Sequence, residues 1–460
     1  MAEAVGRAAD DAGSLDVVTA ATSVRVPRGF WHYNDPGRLV AERVGASGAR
    51  SILVELGILQ QTLVNDACRS IASGEDDIAI VVGGEARYRQ LRAQIAGVDA
   101  PETEQEDGVC PDEQQRPAEP IYLDVEAERG LIMPVRAFAC LDVAIRAHEG
   151  VGIDEHRDQV ARLWSAMSRV AAHNAYAWRP EGADAATVRG PGPKNPMLAF
   201  PYTKLMNSSW NVDQAAALIF TSVGRARALG LDSDAWVFPH AGTEANHVVP
   251  VSQRATPHRS PGAEAAGRAC LDLGGVGVDD IAHLDLYSCF PASVRQYLRA
   301  LDITDDRPVT VTGGMAFAGG PLNNYVLQST VRMAEVLRED PGEFGLVTAV
   351  SGMLNKQGYG LYSTAPAAEG FRSANVTAEV AAADPPLPFD ADATGPVRVV
   401  TYTVLFEGDE PSEALAVCET ADGTRALATS TDRTLAAAMV AEEFCGRSLR
   451  VDDGATLVGA

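Results

Sequence analysis

The sequence predicts an α/β protein of two similar layered halves, with a helical loop insertion on one half and a small β-barrel at the carboxy end. Three observations carry this. Helical segments alternate with short, fully apolar strands such as Ile78–Gly84, the pattern of strands buried in a parallel sheet. A Pro-rich acidic stretch over residues 98–120 breaks that rhythm and leads into a mainly helical region, Ala137–Ala175. After a Pro/Ala/Asp-rich linker at 381–395, alternation and turn residues read as β-hairpins.

Taken in order, residues 1–13 form an amphipathic helix and residues 17–26 a strand. Asp35–Val44 is helical and Ser51–Leu56 is a strand. A helix follows from Gln60 to Ser73, with Leu63, Val64, Ala67, Cys68 and Ile71 on one stripe and Gly74 as its stop. Helix is again expected over Asn211–Leu231, and a second strand–helix series runs to about Thr364. The expected units are 1–250, carrying the insertion at about 98–200, then 251–380, then a tail of OB type over 395–460.

The 460 residues are 46% hydrophobic, enough apolar material for more than one core. The net charge of −24 repels phosphate backbones and anionic headgroups, so neither nucleic acid nor membrane is an expected partner. Seven cysteines without a CxxC pair fit a reducing compartment and argue against a disulfide framework or a structural zinc. No apolar run is long enough to span a bilayer, and the amino terminus lacks a basic-then-apolar layout, so a cytoplasmic location is expected. P-loop, GxSxG and HExxH motifs are absent, and Gly274–Asp280 has the wrong strand–helix order for a dinucleotide fingerprint.

Five segments, in order, carry a resemblance: residues 61–86 ending in Gly83-Gly84-Glu85, NSSWNVDQAAALIF at 207–220, DLYSCF at 285–290, GGMAFAGGPLNNY at 313–325, and VSGMLNKQGYGLYS at 350–363. Together they resemble the thiolase superfamily, over roughly residues 1–365. The β-rich tail is similar to that of thiolase-like proteins with an additional C-terminal domain, related to the sterol-carrier-protein type. The resemblance implies two βαβαβαββ halves in an αβαβα arrangement and an acyl-CoA or carrier-bound thioester as substrate, with no further cofactor and no metal. It also implies a strand ahead of the first helix. This chain begins on the helix, so either the true start lies upstream or the first sheet is incomplete.

Thiolase chemistry needs a nucleophilic thiolate, a histidine to activate it and a second acid/base. The family pattern puts Gly57 where the nucleophilic cysteine belongs and Gly320 where the histidine of its Gly-His-Pro motif belongs. Tyr287 replaces an Asn or His, and the second cysteine falls near Val350–Ser351. Ordinary thiolysis is therefore not expected.

Candidate catalytic residues are Cys289, His240, Asn323 and Tyr287. Cys289 reads either as a relocated thiol or as a small buried apolar residue. His240 lines a ligand or is structural, and its seven-residue spacing to His247 does not suit a metal. Asn323 and Asn324 either polarise a thioester carbonyl or simply form a turn. Gly57, Gly319, Gly320, Lys356 and Gln357 complete the expected binding surface, and Lys204 either meets a coenzyme A phosphate or is a solvated loop lysine. Two functions follow: acyl transfer without a cysteinyl ester at Gly57, or a non-catalytic thioester-binding or partner subunit. Homodimerisation or docking through the C-terminal domain belongs with the second.

Overall fold

The computed structural model describes residues 1–304 and 306–459. Two mixed sheets sandwich a central helical layer, and further helices cover their outer faces. In the first sheet Glu113–Gln115, Arg50–Val54, Ser23–Pro27 and Ile78–Ala86 run parallel, and Asp213–Thr221 adds antiparallel to Ile78–Ala86. In the second, Ile281–Asp285 lies parallel to Phe344–Ser351, which pairs antiparallel with Lys356–Ser363. Phe238–Ala245 then pairs antiparallel with Lys356–Ser363, and Arg372–Asn375 closes that edge.

Helices Gln60–Ser73 and Tyr325–Glu339 fill the space between the sheets. Strand side chains alternate between faces, which divides the burial. Ala79 and Val81 join the large central core, while Ile78, Ile80 and Val82 pack outward under helices Ala2–Ala12 and Pro36–Val44. Helix Pro261–Gly274 covers the outer face of the second sheet. Gln60–Ser73 ends where Gly74 adopts a left-handed φ of 77°, a conformation costly for any residue with a Cβ.

Three expectations change. Asn211–Leu231 is not one helix: Asp213–Thr221 is a strand and only Val223–Ala228 is helical. Its alanines favour helix locally, but nine backbone pairings with Ile78–Ala86 outweigh that preference. The acidic stretch is partly ordered, because Glu113–Gln115 extends the first sheet. The second half begins before residue 251, since Phe238–Ala245 belongs to its sheet.

The tail forms a closed five-stranded barrel in which Gly395–Glu407 pairs with both Glu410–Glu419 and Ser448–Asp452. The insertion, built on helices Pro134–Glu149 and Ile153–Ala171, fastens it to the body. Its strand Met197–Ala199 pairs at Leu405, and Arg129 donates to the Ala391 and Leu427 carbonyls.

Candidate functional site

Four loops meet at the start of helix Gln60–Ser73. Gly57 holds a φ of 98°, and a Cβ there would lie 3.1 Å from Pro117 Cγ, so the acidic loop roofs this position. Lys356 is buried and its Nζ donates to the Gly57 carbonyl at 2.6 Å. Burial holds the Lys356 pKa below its usual value, against the pull of Glu119 and Glu244. Gln60 ties this helix start to the first turn of helix Tyr325–Glu339, its Oε1 accepting the Val326 N–H at 2.7 Å.

The second loop is Tyr287–Phe290. Cys289 is 9% exposed, and burial raises its thiol pKa to about 12, so at neutral pH it stays protonated. Tyr287 is likewise buried, and burial first, then the neighbouring Cys289, raises its phenol pKa, with the Gln60 hydrogen bond opposing. Its ring packs edge-on against Tyr325 at 5.6 Å.

The third loop, Gly313–Asn324, requires its glycines. A Cβ on Gly319 would collide with the Gln214 amide, and one on Gly320 with the Ser208 hydroxyl. The loop hangs from Asp285, a fully buried carboxylate. Asp285 accepts from the Thr310, Thr312, Tyr325 and Ser329 hydroxyls at 2.7 to 3.0 Å and from the Val311 and Thr312 N–H groups at 3.1 Å. Beyond the glycines, Asn324 is buried with neither amide atom partnered, and Asn323 Nδ2 is also unpartnered. Asn324 lies over Gly83, where any Cβ would strike it.

Among the sequence candidates, Gly57 and Lys356 touch directly, while Tyr287 and Cys289 lie on one adjoining loop and Gly319, Gly320, Asn323 and Asn324 on the other. Three candidates fall elsewhere. Gln357 follows Lys356 on a strand and therefore faces the other side, filling the space above Gly262. His240 sits at the end of Phe238–Ala245 paired with Tyr362 and Ser363, remote from Lys356 at the opposite end of that partner strand. Its Nε2 donates to the Ala365 carbonyl at 2.8 Å, and burial lowers its pKa. Lys204 is exposed on the turn Lys204–Met206.

Two contributors lie inside the motifs that carry the resemblance, Asp285 opening DLYSCF and Glu85 after Gly83-Gly84, without a role assigned to either there. Glu85 closes strand Ile78–Ala86, its Oε1 accepting the Phe30 N–H at 2.9 Å. Burial raises its pKa to about 7, with the Phe30 N–H and Arg87 opposing. No cluster of three metal-binding side chains occurs among the described residues. No helix among them is long and apolar enough to cross a membrane.

Residues 376–456 match the family described as the thiolase-like protein type 1 additional C-terminal domain. The whole fold superposes on a monomeric SCP2-thiolase like protein type 1 from Mycobacterium smegmatis, with a TM-score of 0.81 and 27% identity, covering 97% of this chain and 91% of that one. The chain is a thiolase-like protein with an additional C-terminal domain. Two 3-ketoacyl-CoA thiolases, from Psychrobacter cryohalolentis and Psychrobacter arcticus, are 28% and 27% identical over 148 residues, 31% of this chain. The match spans only 34% of those curated relatives. An Ltp2-ChsH2(DUF35) aldolase shares the fold at 16% identity and a TM-score of 0.58, over 79% of this thiolase-like chain and 92% of that one.

Proposed function

We propose that this thiolase-like protein binds an acyl thioester non-covalently at the loop junction around Gly57 and forms no acyl ester with its own side chains. The contact between Lys356 Nζ and the Gly57 carbonyl supports this reading, because Gly57 is the position the thiolase resemblance assigns to the nucleophile, and it offers an ammonium and a backbone carbonyl but no nucleophilic side chain. Cys289 does not take over that role. A thiol with a pKa near 12 is almost wholly protonated at pH 7, and the protonated thiol is a poor nucleophile. What remains is hydrogen-bonding capacity. Lys356 donates, and the unpartnered amides of Asn323 and Asn324 supply further N–H groups to meet a carbonyl.

Those amides favour a second reading, in which an external acceptor attacks the bound thioester directly and Asn323 and Asn324 stabilise the oxyanion. Acetyl-CoA and longer acyl-CoAs, titrated against the protein by calorimetry with parallel intact-mass and CoA-release measurements, separate the cases. Saturable binding lost in Lys356→Ala, with no mass adduct, is expected. A stable acyl adduct at Cys289 would overturn the proposal. CoA release only when an acceptor is added would select direct transfer.

A further inference from the structure

One short stretch of chain, residues 116–122, roofs the junction around Gly57. Pro117 stands over Gly57, its Cγ 3.1 Å from where a Cβ there would lie. Ile121 stands over Gly352, its Cδ1 3.2 Å from the matching point. Seven residues therefore touch both the loop that follows Arg50–Val54 and the loop between Phe344–Ser351 and Lys356–Ser363. Glu119 lies between those two contacts in the chain. Burial lowers the Lys356 pKa, and Glu119 is the first charge to oppose it. With the roof in place Lys356 is only 5% exposed, so the ammonium that a thioester has to reach is shut away from solvent.

Both ends of this stretch are pinned. Upstream, Glu113–Gln115 pairs with Ile52–Val54, the Gln115 carbonyl accepts the Glu55 N–H at 2.9 Å, and the Gln115 amide donates to Asp66 at 3.1 Å. Downstream, the buried Glu126 accepts from the Ser252 N–H at 2.8 Å, the Ser252 hydroxyl at 2.7 Å and the Leu123 N–H at 3.1 Å. Between the pins the chain is held by contact alone. Among the described residues, the one hydrogen bond made by residues 116–122 runs from Arg116 to the Gln114 Oε1 at 2.9 Å. Pro117 and Pro120 have no N–H to donate, and Arg116, Ala118, Glu119, Pro120 and Tyr122 are exposed. A segment with firm ends, no backbone ladder and little buried surface opens locally at low cost while its neighbours stay folded. It lies at the Glu113–Gln115 side of the first sheet, across that sheet from Asp213–Thr221.

We infer that residues 116–122 form a lid, hinged at Gln115 and Leu123, which lifts off Gly57 and Gly352 to admit a thioester and closes again over it. The inference rests on the reading that a thioester binds at Gly57. Lifting takes Glu119 away from Lys356 and leaves the ammonium to the incoming carbonyl. Closing excludes water from that contact, and a charge-assisted hydrogen bond is stronger in the drier surroundings. The fixed φ of Pro117 and Pro120 stiffens the segment, so it swings as a flap between its hinges.

The test methylates accessible amines of the full chain with formaldehyde and cyanoborohydride, and reads Lys356 against the exposed Lys194 and Lys204 by peptide mass. In the double variant Pro117→Ala/Ile121→Ala, which trims both roof contacts, Lys356 is expected to react at least tenfold faster than in the parent, with Lys194, Lys204 and the melting temperature unchanged. A second measurement needs no variant: the Ala118, Glu119, Ile121 and Tyr122 amides exchange freely in the parent and slow at least tenfold with saturating acetyl-CoA. Equal Lys356 labelling in parent and variant overturns the lid. So does protection of those four amides in the free protein to the level of Arg50–Val54, which would make the segment a fixed part of the fold. Calorimetry with acetyl-CoA on the same samples keeps the two readings apart. Binding with equal labelling overturns the lid alone. Labelling that responds to the variant, without acetyl-CoA binding, supports the hinged cover and overturns the thioester as what it admits.

Discussion

Among the described residues the second sheet has Phe238–Ala245 on the outer side of Lys356–Ser363 and a buried carboxylate, Asp285, at the end of Ile281–Asp285, whereas the first sheet shows no pairing beyond Asp213–Thr221 and ends Ser23–Pro27 without such a carboxylate. The same three-strand unit thus stands in two different surroundings among the described residues. Rigidity in such a pair comes from what surrounds the strands, because their internal pairing is alike. The second half carries Tyr287, Cys289 and the Gly-rich loop, so the groups at the junction are held by Asp285. The first half presents Gly57 and Glu85.

The largest way to break this contrast is Asp285→Ala. It removes the shared acceptor of six donors, of which the Ser329 hydroxyl and the Val311 N–H lose their one partner, and is expected to lower stability by on the order of 5 kcal/mol in urea denaturation. A loss below about 1 kcal/mol would mean that the hub does not lock the second half. Truncation of one strand leucine in each sheet comes next. Leu361 is fully buried against helix Pro261–Gly274, so Leu361→Ala should cost about 3 kcal/mol. Leu218→Ala, in Asp213–Thr221 and only partly buried, should cost about 1 kcal/mol. Equal losses would show that the first sheet is as tightly held as the second.

Glu85 sharpens the comparison through pH. Its folded pKa, near 7, lies above the ordinary 4.5 of an unfolded glutamate, so the folded state binds more protons between those values. Stability from this group therefore falls as pH rises from about 5 to above 7. Glu85→Gln keeps an oxygen for the Phe30 N–H but removes the titration. The variant should match the parent near pH 5 and melt at a higher temperature near pH 8. Parallel melting curves at both pH values would remove Glu85 as the cause.

The sequence made the layered architecture legible because most of its signals were local: apolar strands, the helix stripe of Leu63, Val64 and Ala67, and the composition breaks before the insertion and the barrel. Asp213–Thr221 was misread because its alanines speak for helix until Ile78–Ala86 is there to pair with them. The site was half visible. Gly57, Lys356, Gly319, Gly320 and Asn324 come together because loop order along the chain sets loop neighbours in space. His240 and Gln357 do not, since a strand end and a strand face are decided by register. Asp285 and Glu85 owe their character to burial, which no residue announces by itself.

The smallest expected effect concerns the edge alone. Ile219→Lys puts a charge where natural edge strands often carry one, and should change stability by less than about 1 kcal/mol. Its signature is colloidal: slower aggregation on warming than the parent, read by light scattering at equal concentration. The corresponding change in the second sheet, Leu361→Lys, buries a charge and should abolish soluble folded protein. If Ile219→Lys is equally destructive, Asp213–Thr221 is packed in the folded protein and the two sheets do not differ there. If it is tolerated and aggregation is unchanged, Asp213–Thr221 does not drive association.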